Sequence, residues 1–171
     1  MHTLRLLLFM LCMCSTAWAK PKLEAVSKVD LERYMGTWYV IASFPEDEQK
    51  NCYGMQAIYT LDDEDEFDLV DKCWIGGFDG ELKTLEGSVD REGDGKDGRF
   101  ESTFYVFFDY DYWVIDLDPG YQWTVVSEPT RKHLWIMART PKMDPKVYVG
   151  IIERLKANHF AVGKLELMPQ R

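Results

Sequence analysis

The feature that most constrains this chain is the regular recurrence of strand-like segments. Short runs rich in aromatic and β-branched residues appear at 36–44, 55–61, 67–71, 82–90, 100–108, 112–117, 121–126 and 133–139. Such side chains favour a pleated, half-buried surface. Turn chemistry separates them. Pro45 ends the first run, Asp62 to Glu66 is a continuous acidic stretch, and Asp118-Pro119-Gly120 is a turn signal. Many short strands at this spacing predict an antiparallel sandwich or barrel. Only one helix is predicted, over 144–158. Asp144 caps it, Pro145 suits its first turn, and Val147, Ile151, Ile152 and Leu155 form one apolar stripe. The fold class is therefore all-β with one C-terminal α-helix, and 171 residues suit a single domain.

The first 19 residues read as a leader, not as part of that domain. Arg5 gives a basic start, an apolar run follows, and Ala17-Trp18-Ala19 supplies an Ala-x-Ala cleavage pattern. The run is too short to span a bilayer as a helix. The division predicted is 1–19 signal peptide and 20–171 folded domain. Export to a periplasm or to the outside follows. A lipid-anchored form is disfavoured, because Leu11 and Met13, rather than small residues, precede Cys12 and Cys14.

Export gives the remaining cysteines, Cys52 and Cys73, an oxidising compartment, so they read as a disulfide. A hairpin turning near Asp63 would bring them to about the same rung. A catalytic thiol or a metal pair is the alternative, but only His133 and His159 lie outside the leader to join such a site. Asp90, Glu92, Asp94, Gly95 and Glu101 have the spacing of a calcium loop, yet Asp97 stands where an apolar residue is usual and the flanks read as strands. A solvated hairpin loop is expected there. No nucleophile-elbow serine motif occurs. A net charge of -9 argues against nucleic acid as a partner. Aromatic residues make up 14% of the chain, which calls for a large core or a cavity to line.

Three motifs in order resemble the lipocalin family. The stretch from Val29 to Tyr39 contains Gly36-Thr37-Trp38, similar to the Gly-x-Trp that opens the family's first strand after a short helical turn. The stretch from His133 to Pro141 resembles its last barrel strand and ends in Arg139. The middle motif, usually Thr-Asp-Tyr, is here Leu117-Asp118-Pro119 and keeps only Asp118. The bacterial outer-membrane-lipoprotein-like branch, related to apolipoprotein D, is the most similar. The resemblance implies an eight-stranded antiparallel up-and-down barrel. It also implies structural roles for Gly36, Trp38, Asp118 and Arg139, with Arg139 packed on Trp38 at the closed end.

Side chains alternate in and out along a strand. With Trp38 inward, Val40, Ala42 and Phe44 share its face. With Arg139 inward, so do Met137, Trp135 and His133. The family's inward positions imply Met55, Ala57 and Tyr59, then Tyr112 and Val114, then Trp123 and Val125. This apolar wall with polar tips at Tyr59, Tyr112 and His133 suits a fatty acid or lysophospholipid, with peripheral contact to membrane lipids and no cofactor. Two other readings stay open. One is a thiol-dependent lipid-modifying enzyme, which needs a free Cys52 or Cys73. The other is an envelope or host protein-interaction module with a filled barrel.

Overall fold

A computed structural model describes residues 20–93, 95, 97–104 and 108–171. The leader predicted at 1–19 lies outside the described residues, as does Asp94. Helix α1 (Leu31–Tyr34) precedes strands β1 (Gly36–Ser43), β2 (Cys52–Leu61), β3 (Glu66–Ile75), β4 (Glu81–Arg91), β5 (Arg99–Phe104), β6 (Phe108–Leu117), β7 (Trp123–Ser127) and β8 (Leu134–Ala138). Helix α2 (Pro145–Ala157) and a two-residue strand β9 (Glu166–Leu167) complete the chain. Each of β2 to β7 pairs antiparallel with the next, β8 pairs with β1, and β1 returns to β2. The eight strands therefore close a barrel, which leaves no free sheet edge.

The β1–β2 seam is only half paired by those two strands. Gly36 to Tyr39 face β2, while Ala42 and Ser43 pair with β9 instead. The C-terminal segment fills the gap. Met168 donates its N–H to the Ile41 carbonyl, and the Gln170 side chain donates to the carbonyls of both Val40 and Met55 at 2.8 and 2.9 Å.

Two bulges reset the alternation. In β1, Val40 pairs with Met137 and Ala42 with Ile136, leaving Ile41 as the extra residue. In β6, Val114 pairs with Val126 and Asp116 with Val125, leaving Ile115 extra. A bulged residue shifts the facing of everything beyond it. Two apolar clusters result. One fills the barrel interior and includes Trp38, Val40, Tyr59, Phe67, Phe100, Tyr112 and Val114. The other lies outside the wall, where Ala42, Phe44, Val125 and Ile136 pack with Ile151 and Leu155 of α2.

Helix α2 starts as its residues dictate. The Asp144 carboxylate accepts from the Lys146 N–H at 2.7 Å, and Pro145 occupies the first turn. Its apolar stripe covers the outer cluster. Arg154 ties it to the barrel through Asp116 at 2.7 Å. The 92–98 loop joins β4 to β5 as a hairpin connection, and Asp97 there is committed to Arg99 at 2.6 Å.

Candidate ligand-binding site

Alternate turns of an up-and-down barrel lie at opposite ends. Helix α1 and the turns after β2, β4 and β6 form one end, the floor. The connections after β1, β3, β5 and β7 form the other end, the mouth.

The floor is closed by Trp38 and Arg139. The Arg139 guanidinium lies 3.7 Å from the Trp38 ring centroid. Its nitrogens donate to the carbonyls of Thr37, Arg33 and Tyr34 at 3.1, 2.7 and 3.1 Å. Removal from water lowers its pKa, yet the ring and four carbonyls, the fourth that of Tyr121 at 3.3 Å, keep the cation well housed. Trp38 donates its indole N–H to the Tyr34 carbonyl at 2.8 Å. Gly36 has φ +93°, a left-handed conformation that glycine adopts without cost, and a Cβ there would sit 3.5 Å from the Arg139 guanidinium. Asp118 organises the adjacent turn by accepting from the Gln122 N–H at 3.1 Å. Tyr121 of that turn accepts from the Asp30 N–H at 2.9 Å, which fastens α1 across the end.

Above the plug the interior is packed with rings. Tyr34 stacks on Tyr59 at 5.6 Å and lies tilted 5.2 Å from Trp38, and Phe67 meets Tyr59, Phe100 and Tyr112 edge-on or tilted. The phenols satisfy one another. Tyr112 bonds both Tyr34 and Tyr59, at 2.9 and 2.8 Å. Burial pushes the Tyr34 hydroxyl up to about 12 and those of Tyr59 and Tyr112 well above their ordinary value. They are neutral hydrogen-bonding groups at any physiological pH.

Towards the mouth some inward positions keep solvent contact, although Cys73, nearer the mouth still, is buried. On β3, Phe67 and Leu69 are buried while Asp71, two positions on, is half-buried. Register places Ala57 of β2 and Leu85 of β4 beside Asp71. Leu85, Phe104 and Trp135 are also half-buried, and Tyr110 is 51% exposed. At the rim, the His133 ring stacks 6.2 Å from Trp135, and its Nδ1 is 2.7 Å from the Glu46 carboxylate. Cys52 and Cys73 form a disulfide that links β2 to β3 at this end.

Residues 29–170 match the family of lipocalin-like domains. The chain belongs to the lipocalins. It is 33% identical to temperature-induced lipocalin-1 of Arabidopsis thaliana, over 88% of this chain and 84% of that one. It is 29% identical to the outer membrane lipoprotein Blc of Citrobacter freundii, over 92% and 88%. The solved insecticyanin of Manduca sexta superposes with a TM-score of 0.70 at 19% identity, covering 90% of this chain and 87% of that one, and so shares the fold. The barrel, the C-terminal helix and the family anticipated from the three motifs are all found. Lipocalin membership supports binding of small hydrophobic ligands.

The structure brings together Trp38, Val40, Met55, Ala57, Tyr59, Tyr112, Val114 and Met137 inside the barrel, with Trp135 packed on their cluster. Four expected inward residues lie elsewhere. Ala42 and Phe44 follow the β1 bulge and turn out beneath α2. Trp123 and Val125, placed inward by the family resemblance, are outside too, because the β6 bulge at Ile115 sets Thr124 and Val126 opposite inward Met137 and Trp135. Thr124 and Val126 take the inner positions. Thr124 reaches the Tyr34 hydroxyl at 3.4 Å, and Val126 pairs with inward Val114 and Trp135. The phenols of Tyr59 and Tyr112, expected as tips for a head group, are instead spent on each other. Tyr34, Phe67 and Asp71 were not anticipated as lining. The alternation Phe67-Asp68-Leu69-Val70-Asp71 carried the signal for two of them.

Proposed function

We propose that this lipocalin binds an amphipathic acyl lipid, a fatty acid or a lysophospholipid, in the upper half of its barrel. The observation that carries the reading is that inward-facing apolar residues of the mouth half keep solvent contact beside buried neighbours such as Met55 and Cys73. Rings pack the floor half, whereas Leu85, Phe104 and Trp135 keep solvent contact on inward-facing positions. Apolar wall that remains wet gains free energy when an apolar ligand covers it, roughly 25 cal/mol per Å² before ordering costs. Trp135 belongs to that wet wall, and the buried side chains of Met55, Ala57, Val126 and Met137 back it. Trp38, Val40, Tyr59, Tyr112 and Val114 support it from below, and His133 stands at its rim. Binding is favoured over thiol chemistry, since both sulfurs of Cys52 and Cys73 are held in one bond.

The same reading takes the protein out of the cytoplasm. The leader pattern at 1–19, the disulfide and the name of the Blc relative, an outer membrane lipoprotein, together support export to an envelope or to the medium. Titrating purified protein with a fluorescent fatty acid and with a fluorescent lysophospholipid tests the ligand class. Saturable binding with quenching of tryptophan emission is expected. Absence of saturation with both probes would refute it. Intact mass of the exported protein tests the leader: it should begin at Lys20.

A further inference from the structure

One ionisable group on the inner wall has no role in the packing described. Asp71 lies on β3 in the same inward row as Phe67, Leu69 and Cys73, and the register between β3 and β4 runs without a break past it. Its direct neighbours in that register, Ala57 and Leu85, offer no hydrogen bond from their side chains. Among the described residues, no hydrogen bond or ion pair engages its carboxylate. It is enclosed by protein yet half-buried, as a group facing the open part of the barrel must be. Loss of hydration alone raises its pKa to about 7. Holding a carboxyl group in such a place disfavours the fold unless something there uses it.

The charged and titratable groups around it do not neutralise it. From β2, Tyr59 is the next inward phenol, and it is neutral and bonded to Tyr112. From β4, Lys83 pairs with Cys73 one inward position nearer the mouth, is exposed, and has an engagement of its own. Arg139 is fixed in the floor by backbone carbonyls, and His133 faces Glu46 at the rim.

We infer that Asp71 is the polar anchor of the barrel and selects an amphiphile whose head group carries an ammonium or another strong hydrogen-bond donor over one that ends in a carboxylate. The inference rests on the lipid-binding reading above and sharpens it. A donor head group supplies the hydrogen bonds that the wall does not, and a cation adds a charge-assisted bond in a poorly hydrated site. A carboxylate head group meets like charge once Asp71 is ionised, and an unpaired charge in such a site is a strong device for rejecting it. Cation binding therefore requires ionised Asp71, whereas anion binding requires the protonated form.

The test uses the whole exported chain and displacement of N-phenyl-1-naphthylamine, a neutral dye, by decylamine, decanoate and decanol. Measurements are made near pH 5.5 and near pH 8.5. At the higher pH decylamine should displace the dye at lower concentration than decanoate. At the lower pH its affinity should fall by at least about tenfold, with a ceiling of about thirtyfold set by the ionised fraction of a group titrating near 7. Asp71→Asn should abolish most of that fall and improve decanoate binding at the higher pH. Comparing it with the unmodified protein removes any contribution from His133 and Glu46. An amine-to-acid preference that is equal at both pH values, or equal in Asp71→Asn, overturns the inference while leaving dye binding intact. Failure of the dye and of decanol to bind at all overturns the lipid-binding reading, and this inference with it. If Asp71→Asn does not fold, the same pH series on His133→Gln decides the matter: the fall should persist, and its loss overturns the inference.

Discussion

The two halves of the barrel use the same alternation to opposite ends. In the floor half, inward positions carry Trp38, Phe67, Phe100 and three tyrosines whose hydroxyls bond one another, so the space is filled and dry. In the mouth half, the inward residues Leu85, Phe104, Trp135 and Asp71 keep solvent contact, beside buried Met55 and Cys73. One strand, β3, contributes to both. Phe67 is wholly buried at one end of it, and Asp71 is half-buried four residues later. The lesson is that a lipocalin interior is not one environment. The floor holds the fold together, and the mouth is where the inner surface remains to be covered.

The contrast can be broken by mutation. The largest effect should come from Trp38→Ala. It removes a fully buried indole and the ring beneath Arg139, and should cost about 3–5 kcal/mol in urea unfolding. Leu85→Ala in the mouth should cost under about 1.5 kcal/mol, because the site is already partly wet. Equal losses at the two positions would mean that the halves are not distinct.

Next in size is the disulfide. Replacing Cys52 and Cys73 together by Ser should cost about 3 kcal/mol, as expected for a closed loop of this length. The same pair of changes should loosen the mouth edge of β2 and β3 before the floor, seen as faster amide exchange near Tyr53 and Trp74 than near Tyr59.

Asp71 gives a pH signature. Its folded pKa, about 7, lies above the ordinary 3.8, so the folded state holds the extra proton. The stabilising contribution is complete below about pH 4 and is lost as pH rises to about 7, on the order of 2–4 kcal/mol. Asp71→Asn should flatten that fall relative to the unmodified protein. Parallel stability curves for the two would contradict its placement on the inner wall. The smallest effect belongs to the rim. His133→Gln breaks a solvent-accessible contact with Glu46 and should change stability by no more than about 1 kcal/mol.

Much of the barrel was legible before its shape was known. Strand-forming side chains, the turn at Asp118, the capped helix at Asp144 and the Gly36–Trp38 motif are local signals, and each has a local physical cause. The parity of β1 beyond Val40 was not legible. The bulge at Ile41 depends on pairing with β8, so nothing within β1 announces that Ala42 and Phe44 turn outward beneath α2. The inner face of β7 was hidden for a related reason, since the bulge at Ile115 depends on how β6 pairs with β7. Asp71 was visible as a position but not as a lining group. Alternation put it on one face with Phe67 and Leu69, and only closure of the sheet made that face the interior.

The most direct test of a filled floor beneath an open mouth is the response of the tryptophan indole N–H signals during lipid titration. Assigned by single Trp→Phe changes, the Trp135 signal should move saturably with added ligand, while those of Trp38 and of outward Trp123 stay in place. A shift at Trp38 or Trp123 with Trp135 unmoved would contradict it.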